Sequence, residues 1–323
     1  MGIKIRKRER VYRYLTVGLL ILLFSTSLAV PALGGQFEDA EAAYERGDYE
    51  TVFRLMKPFA EQGNAQAQNY LGRMYAIGQD VPQDYAEAMK WFRKAAEQGY
   101  AKSQYNLGQG FLQGIGVPQD YGEAAKWTRK AAEQGDASAQ YTLGVMYRLG
   151  DGVSQDSIEA AKWTRKAAEQ GDAVAQFNLG VMYVDGQGVP QNFVEAVKWY
   201  RKAAEQGHIP AQNNLGLMYA GARGVPQDYG EAVKWYRKAA EQGDAIAQNN
   251  LGFMYANGRG VSQDYVLAHM WSNLAASRFP ASEGEKREQA IKTRDFVAPM
   301  MTPDQIAEAE RLEREWKPKK EEK

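Results

Sequence analysis

Apolar positions along this chain recur on two superimposed periods, one of a helical turn and one of 36 residues. In the stretch 136–171, Ala139, Leu143, Met146 and Tyr147 stand at i, i+4, i+7 and i+8, so they share one face of a helix. Gly150 follows where a left-handed C-cap would end that helix. Gly152 lets the chain turn again, and Asp156 with Glu159 three residues on has the spacing of a capping box. Ala160, Trp163 and Ala167 then mark the apolar stripe of a second helix, closed by Gly171. The pattern predicts an antiparallel helix pair.

The pair repeats in six units: 64–99, 100–135, 136–171, 172–207, 208–243 and 244–279. In the first helix, a buried leucine and the glycine after it recur as Leu71-Gly72, Leu107-Gly108, Leu143-Gly144, Leu179-Gly180, Leu215-Gly216 and Leu251-Gly252. Tyr75, Tyr147, Tyr183, Tyr219 and Tyr255 follow three residues later, and the second helices carry Trp91, Trp127, Trp163, Trp199, Trp235 and Trp271. Glycine inside a helix costs about 0.8–1 kcal/mol relative to alanine. Six such glycines therefore predict close approach of another helix, with tryptophan as the large side chain filling the space between. A period of this length is that of a solenoid, whose units bury their apolar faces only by stacking.

The ends depart from the template. Residues 33–63 read as a degenerate N-terminal capping repeat with a turn at Gly47-Asp48 and Leu55 where the tryptophan would stand. Residues 280–316 read as C-terminal capping helices, 283–296 and 303–316, the second starting from a Thr302 cap with proline in first position. The segment 317–323 is charged and expected to be disordered. In the loops, Asp80 replaces the second glycine of the first unit, and Ala222 replaces the first glycine of the fifth. A helix end shifted by one residue is expected at the latter.

Charge changes the picture at one end only. Lysine plus arginine and aspartate plus glutamate number 40 each, yet residues 1–13 hold six basic side chains against Glu9 alone. An apolar run over 15–30 and small residues at Ala29 and Ala32 complete the pattern of a secretory signal peptide spanning 1–32. An uncleaved N-terminal anchor is the alternative, and it would be the chain's one membrane contact. Removal of the leader leaves a mildly acidic chain, which gives no electrostatic reason to expect nucleic acid. The expected location is outside the cytoplasm, in the periplasm. Cysteine is absent, which excludes disulfides, thiolate metal sites and cysteine nucleophiles.

The pattern A-x-A-Q-x-x-L-G-x-x-Y, then G-x-G-V, then A-x-x-W-x-x-x-A-A-x-x-G resembles the Sel1-like repeat family, related to the tetratricopeptide solenoids. Ala173, Ala175, Gln176, Leu179, Gly180, Tyr183, Gly186, Gly188, Val189, Ala196, Trp199, Ala203, Ala204 and Gly207 carry it in the fourth unit, and it covers 64–279. The resemblance implies an all-α, right-handed α/α superhelical solenoid acting as a scaffold or adaptor, with bacterial members exported or in the envelope. It also implies two alternatives, a hydrolase like the β-lactam-interacting branch and a structural envelope component. That branch is rich in disulfides, which this chain lacks.

Positions that drift between units are the candidates for partner contact. Asn69 is matched by Tyr105, Tyr141, Phe177, Asn213 and Asn249; four residues on, Arg73 is matched by Gln109, Val145, Val181, Leu217 and Phe253. Both series lie on one helix face. If the first helices line the concave side, Tyr105, Tyr141, Phe177, Val145, Val181, Leu217 and Phe253 form a groove for a peptide or partner helix. The other reading is that these rings fill the seam between repeats. On the second helices, Lys90, Lys126, Lys162, Lys198 and Lys234 form a strip with Arg93, Arg129, Arg165, Arg201 and Arg237. Glu97, Glu133, Glu169, Glu205 and Glu241 stand four residues beyond the arginines, the spacing of helical ion pairs.

Little in the chain points to chemistry. His208 stands where sister units have a capping aspartate, and His269 replaces an apolar residue beside the tryptophan stripe. No S-x-x-K, phosphate-loop or H-E-x-x-H motif is present. The sequence thus predicts a non-enzymatic scaffold without catalytic, cofactor-binding or metal-binding residues, its partner a protein or peptide.

Overall fold

The computed structural model describes residues 34–319. The leader expected at 1–32 and the last four residues of the tail lie outside the described residues. All regular elements among the described residues are helical: α1 (Gly34–Glu45) and α2 (Tyr49–Glu61), then α3 (Ala65–Ile77), α4 (Tyr85–Glu97), α5 (Ala101–Gln113), α6 (Tyr121–Glu133), α7 (Ala137–Leu149) and α8 (Ser157–Glu169). These eight lie in one compact group ending at Gln170. The second group, from Gly171, holds α9 (Ala173–Asp185), α10 (Phe193–Glu205), α11 (Ile209–Ala220), α12 (Tyr229–Glu241), α13 (Ala245–Asn257) and α14 (Tyr265–Arg278). It closes with α15 (Gly284–Val297) and α16 (Pro303–Glu315), flanked by short 3₁₀ turns. Each group is an all-α solenoid of antiparallel helix pairs, in which successive helices pack together, save that α15 and α16 both pack on α14.

Five of the six repeats end their first helix the same way. Gly78, Gly114, Gly150, Gly186 and Gly258 take the left-handed conformation and return an amide to the last turn. In the fifth repeat α11 stops one residue short, and Ala222 takes the left-handed conformation at φ 53°. Asp80 does so at φ 54° in the first repeat, so both substitutions keep the turn at the cost of some backbone strain. The second loop glycine answers a different need. A Cβ on Gly152 would stand 1.8 Å from the carbonyl oxygen of Tyr121, so the loop lies directly on the start of the preceding repeat's second helix.

The glycine inside each first helix meets the second helix of its own repeat. A Cβ on Gly144 would fall 2.6 Å from Thr164 Oγ1 and 3.0 Å from the Ala160 carbonyl oxygen. The leucines before these glycines are essentially fully buried, and Trp127, Trp163, Trp199, Trp235 and Trp271 are buried beside them. A glutamine ladder ties repeat to repeat. Gln104 Nε2 donates to the Ala96 carbonyl of the preceding repeat at 3.1 Å, while its Oε1 accepts from Gln134 Nε2 at 2.7 Å. Gln68, Gln140 and Gln212 make both bonds. Arg278 stands where the last ladder glutamine would be, and Gln248 Oε1 is left buried without a partner among the described residues.

Two local expectations are corrected. Asp156 caps its helix through the Ile158 and Glu159 amides, but Glu159 does not reach back to complete a box; it is held by Lys162 and Trp163 Nε1. The reciprocal capping box forms at Thr302 and Gln305 instead. The start of the tail is also ordered. The Lys319 amide donates to the Glu241 carbonyl at 2.8 Å, and Trp316 packs edge-on to Trp271, because the ring gives this segment an apolar anchor that its charge pattern hides.

Candidate functional site

The second helices expose their lysines, and those charges are already matched. Lys90, Lys126, Lys162, Lys198 and Lys234 pair with the glutamate three residues before them. The next lysine on each helix lies over the tryptophan ring, as Lys166 does over Trp163 at 4.0 Å. Arginine does not make the expected pairs with glutamate four residues on. Arg129, Arg201 and Arg237 donate to the phenol oxygens of Tyr147, Tyr219 and Tyr255 in the following repeat, at 2.7–2.9 Å. The flexible guanidinium reaches across the repeat boundary, and the fork that would meet glutamate is used there. This face is a solvated surface with local pairing.

The first-helix strip divides. Tyr141 and Val145 are buried; Tyr105, Phe177 and Val181 are half-buried. Leu217 and Phe253 remain 45% and 43% exposed. The series from Asn69 to Asn249 faces the seam: Asn69 Oδ1 accepts from Ser103 and Asn106, and Asn213 Oδ1 from Asn250, in the next repeat. Its residues also vary in step with a position on the second helix of the same repeat. Asn69 goes with Phe92, Tyr105 with Thr128, Tyr141 with Thr164 and Asn213 with Tyr236. One ring and one small side chain make each pair, which is volume conservation within a packed layer. The fourth repeat has two rings, Phe177 and Tyr200, stacked at 5.7 Å between centroids. The sixth has none, and there Asn249 Oδ1 and Ser272 Oγ are buried without a partner among the described residues. The middle rings of the expected groove are therefore seam, and the accessible part of the strip lies in the fifth and sixth repeats.

Two clefts open along the strip, at the same register three repeats apart. The first, about 200 Å³, lies between repeats one and two; the second, about 440 Å³, between repeats four and five. Phe92 corresponds to Tyr200, Asn106 to Asn214, Gln109 to Leu217, Gly110 to Met218 and Ile115 to Arg223. Met89 partly fills the first cleft. Its thioether occupies the space a side chain on Gly110 would need, with Cε 2.2 Å from the Cβ such a side chain would have. In the second cleft Tyr200 is buried, its phenol bonded to Asn214 and its pKa pushed up to about 12 by desolvation.

The histidines are structural. His208 caps α11 by accepting the Ala211 amide at Nδ1, 3.3 Å away, and stacks on Phe177 at 4.8 Å. Burial holds its imidazole down to about 4, so the ring stays neutral and able to accept. His269 is buried on α14 with Arg294, Glu310, Glu313 and Asp295 of the C-terminal helices around it, and burial again lowers its basicity. Nearby, Arg294 donates to Asn273, which donates to Glu313, so these charges serve docking of α15 and α16. Among the described residues no group of three histidines or carboxylates is placed to hold a metal, and no helix is long and apolar enough to cross a membrane.

Comparison with known proteins agrees with this architecture. The Sel1 repeat model matches at 65–100, 101–136, 137–172, 173–208, 209–244 and 245–278. A crystal structure of a Sel1 repeat protein from Oxalobacter formigenes is 35% identical, covers 74% of this chain and 96% of its own, and superposes with a TM-score of 0.65. A protective antigen present in uropathogenic Escherichia coli strains is 26% identical over 90% of this chain and 94% of its own, at TM-score 0.45. An immunity protein from Pseudomonas aeruginosa is 20% identical over 75% and 86%, at TM-score 0.39. No curated protein sequence matches the chain. Six matched repeats, each with its glycine under the second helix and its glutamine in the ladder, make this chain a member of the Sel1-repeat family.

Proposed function

We propose that this protein is a non-catalytic scaffold of the bacterial cell envelope that holds a protein or peptide partner along its first helices. One observation carries the reading. The second helices present a charged face whose lysines are paired with glutamate or lie over tryptophan, whereas the first-helix strip of the fifth and sixth repeats leaves Leu217 and Phe253 exposed, Leu217 lining a cleft of about 440 Å³. An apolar surface next to a preformed hollow is where association releases most water per residue ordered. The envelope location rests on the basic-apolar leader pattern at 1–32.

Crosslinking of the native protein followed by mass spectrometry tests the scaffold role, with a Leu217→Ser/Phe253→Ser variant as control. The partner crosslinked to wild type should be lost from the folded variant. A partner retained at full yield would move the contact elsewhere. Fractionation of cells producing the full chain, with and without residues 1–32, tests the location; equal amounts outside the cytoplasm would end the export reading.

A further inference from the structure

The fifth and sixth repeats differ from the first four in one more respect. At the loop position seven residues after the helix glycine, earlier repeats carry Gln79, Ile115, Asp151 and Gln187; here it is Arg223 and Arg259. Neither arginine makes an ion pair among the described residues. Each lies over aromatic rings instead, Arg223 over Phe193 at 5.9 Å and Arg259 over Tyr229 and Phe253 at 5.6 and 5.5 Å. A ring face orients a guanidinium without neutralising it, and leaves its edge donors free. Lys198 and Lys234 on the second helices are instead paired with a glutamate three residues before them, while Lys202 and Lys238 lie over tryptophan rings as these arginines do over theirs. Arg223 lines the cleft that Leu217 also lines, and Asp185 is the nearby carboxylate that acts on Tyr200 there. Arg223 at the cleft and Arg259 in the same loop position one repeat on thus set two cations, without ion pairs among the described residues, along this stretch of the strip.

Resting on the scaffold reading, we infer that repeats four to six bind an extended acidic peptide segment of the partner, one apolar side chain entering the Leu217 cleft and flanking carboxylates meeting Arg223 and Arg259. Guanidinium and carboxylate match in planar, two-bond geometry, and the hollow is large enough for a leucine- or phenylalanine-sized side chain. Positive charge at the rim also disfavours basic segments of the same apolar pattern.

The test uses the folded full chain and three fluorescein-labelled twelve-residue peptides, alternating leucine with glutamate, with lysine or with serine. Fluorescence anisotropy should rank the glutamate peptide tightest. The Arg223→Glu/Arg259→Glu variant should bind it about tenfold more weakly, as expected for two rim ion pairs, and should shift toward the lysine peptide. Arg223→Gln/Arg259→Gln should fall between, which guards against misfolding of the charge-reversed protein. Glutamate-peptide binding unchanged in both variants overturns the site and leaves the scaffold reading standing. Binding of none of the peptides overturns the inference; the crosslinking experiment then decides the scaffold reading separately.

Discussion

The cleft between repeats one and two and the cleft between repeats four and five are built on equivalent backbone, yet they offer different surfaces. In the first, Met89 lies in the space that Gly110 vacates, and Gln109 and Ile115 stand where the second has Leu217 and Arg223. In the second, methionine is back at Met218 and its neighbour is the smaller Val197. A methionine has in effect moved from the first helix to the second, and there it lies in the hollow. Repetition thus fixes where a cleft can form, and a few side-chain exchanges decide whether it stays open. The same logic separates seam from surface along the strip.

The largest effect should come from breaking volume conservation. Tyr236→Thr leaves Asn213 beside the new gap and should cost about 3 kcal/mol by the usual scale for removing a buried ring. Adding Asn213→Tyr recreates the Tyr105–Thr128 arrangement and should recover at least a third of that loss in urea unfolding. Strictly additive effects would mean that the two positions do not share a layer.

Acid should distinguish His208 from its aspartate sisters. Its folded basicity lies near 4, below the ordinary 6.5, so the unfolded chain takes the proton first as pH falls. His208 therefore contributes fully above 6.5, and its contribution declines between 6.5 and about 4, by roughly 3 kcal/mol. Asp172 and Asp244 caps have the opposite sign, since burial raises their carboxyls and the folded state binds the proton first. His208→Asp should gain on wild type as pH drops through that window; parallel stability curves would remove the account of the cap.

Within the filled cleft, Gly110→Met should destabilise by about 1–3 kcal/mol through overpacking against Met89. Met89→Ala in the same chain should restore stability, since Met146 sits opposite Ala125 in the next repeat. A double-mutant cycle with no coupling would contradict the exchange. Smallest of all, Leu217→Ser should change stability by under about 1 kcal/mol, because nearly half of the residue is already exposed to water. A larger loss would show that Leu217 belongs to the core.

Much of this was legible in the chain. The 36-residue period, the helix glycines and the Asp156 type of cap all follow from local rules that hold in every copy. The strip was harder, because the reason Tyr141 drifts from Asn69 lies on another helix, at Thr164 and Phe92. That covariation is present in the sequence, but only the structure says which second-helix position to compare. Arg129 hides its partner for a similar reason: helical spacing offers Glu133, while the side chain reaches Tyr147 across the repeat boundary. Arg223 and Arg259 lie in loops, where helical periodicity carries no information. Their signal was that two late repeats agree with each other and with none of the earlier four.

The most direct test places a photoreactive residue at position 217 or at its counterpart, position 109, in the full chain with the alternating leucine–glutamate peptide. Crosslinks from 217, with few or none from 109, are the predicted result. Equal yields from the two positions, or a preference for 109, would contradict the claim that binding belongs to the later repeats.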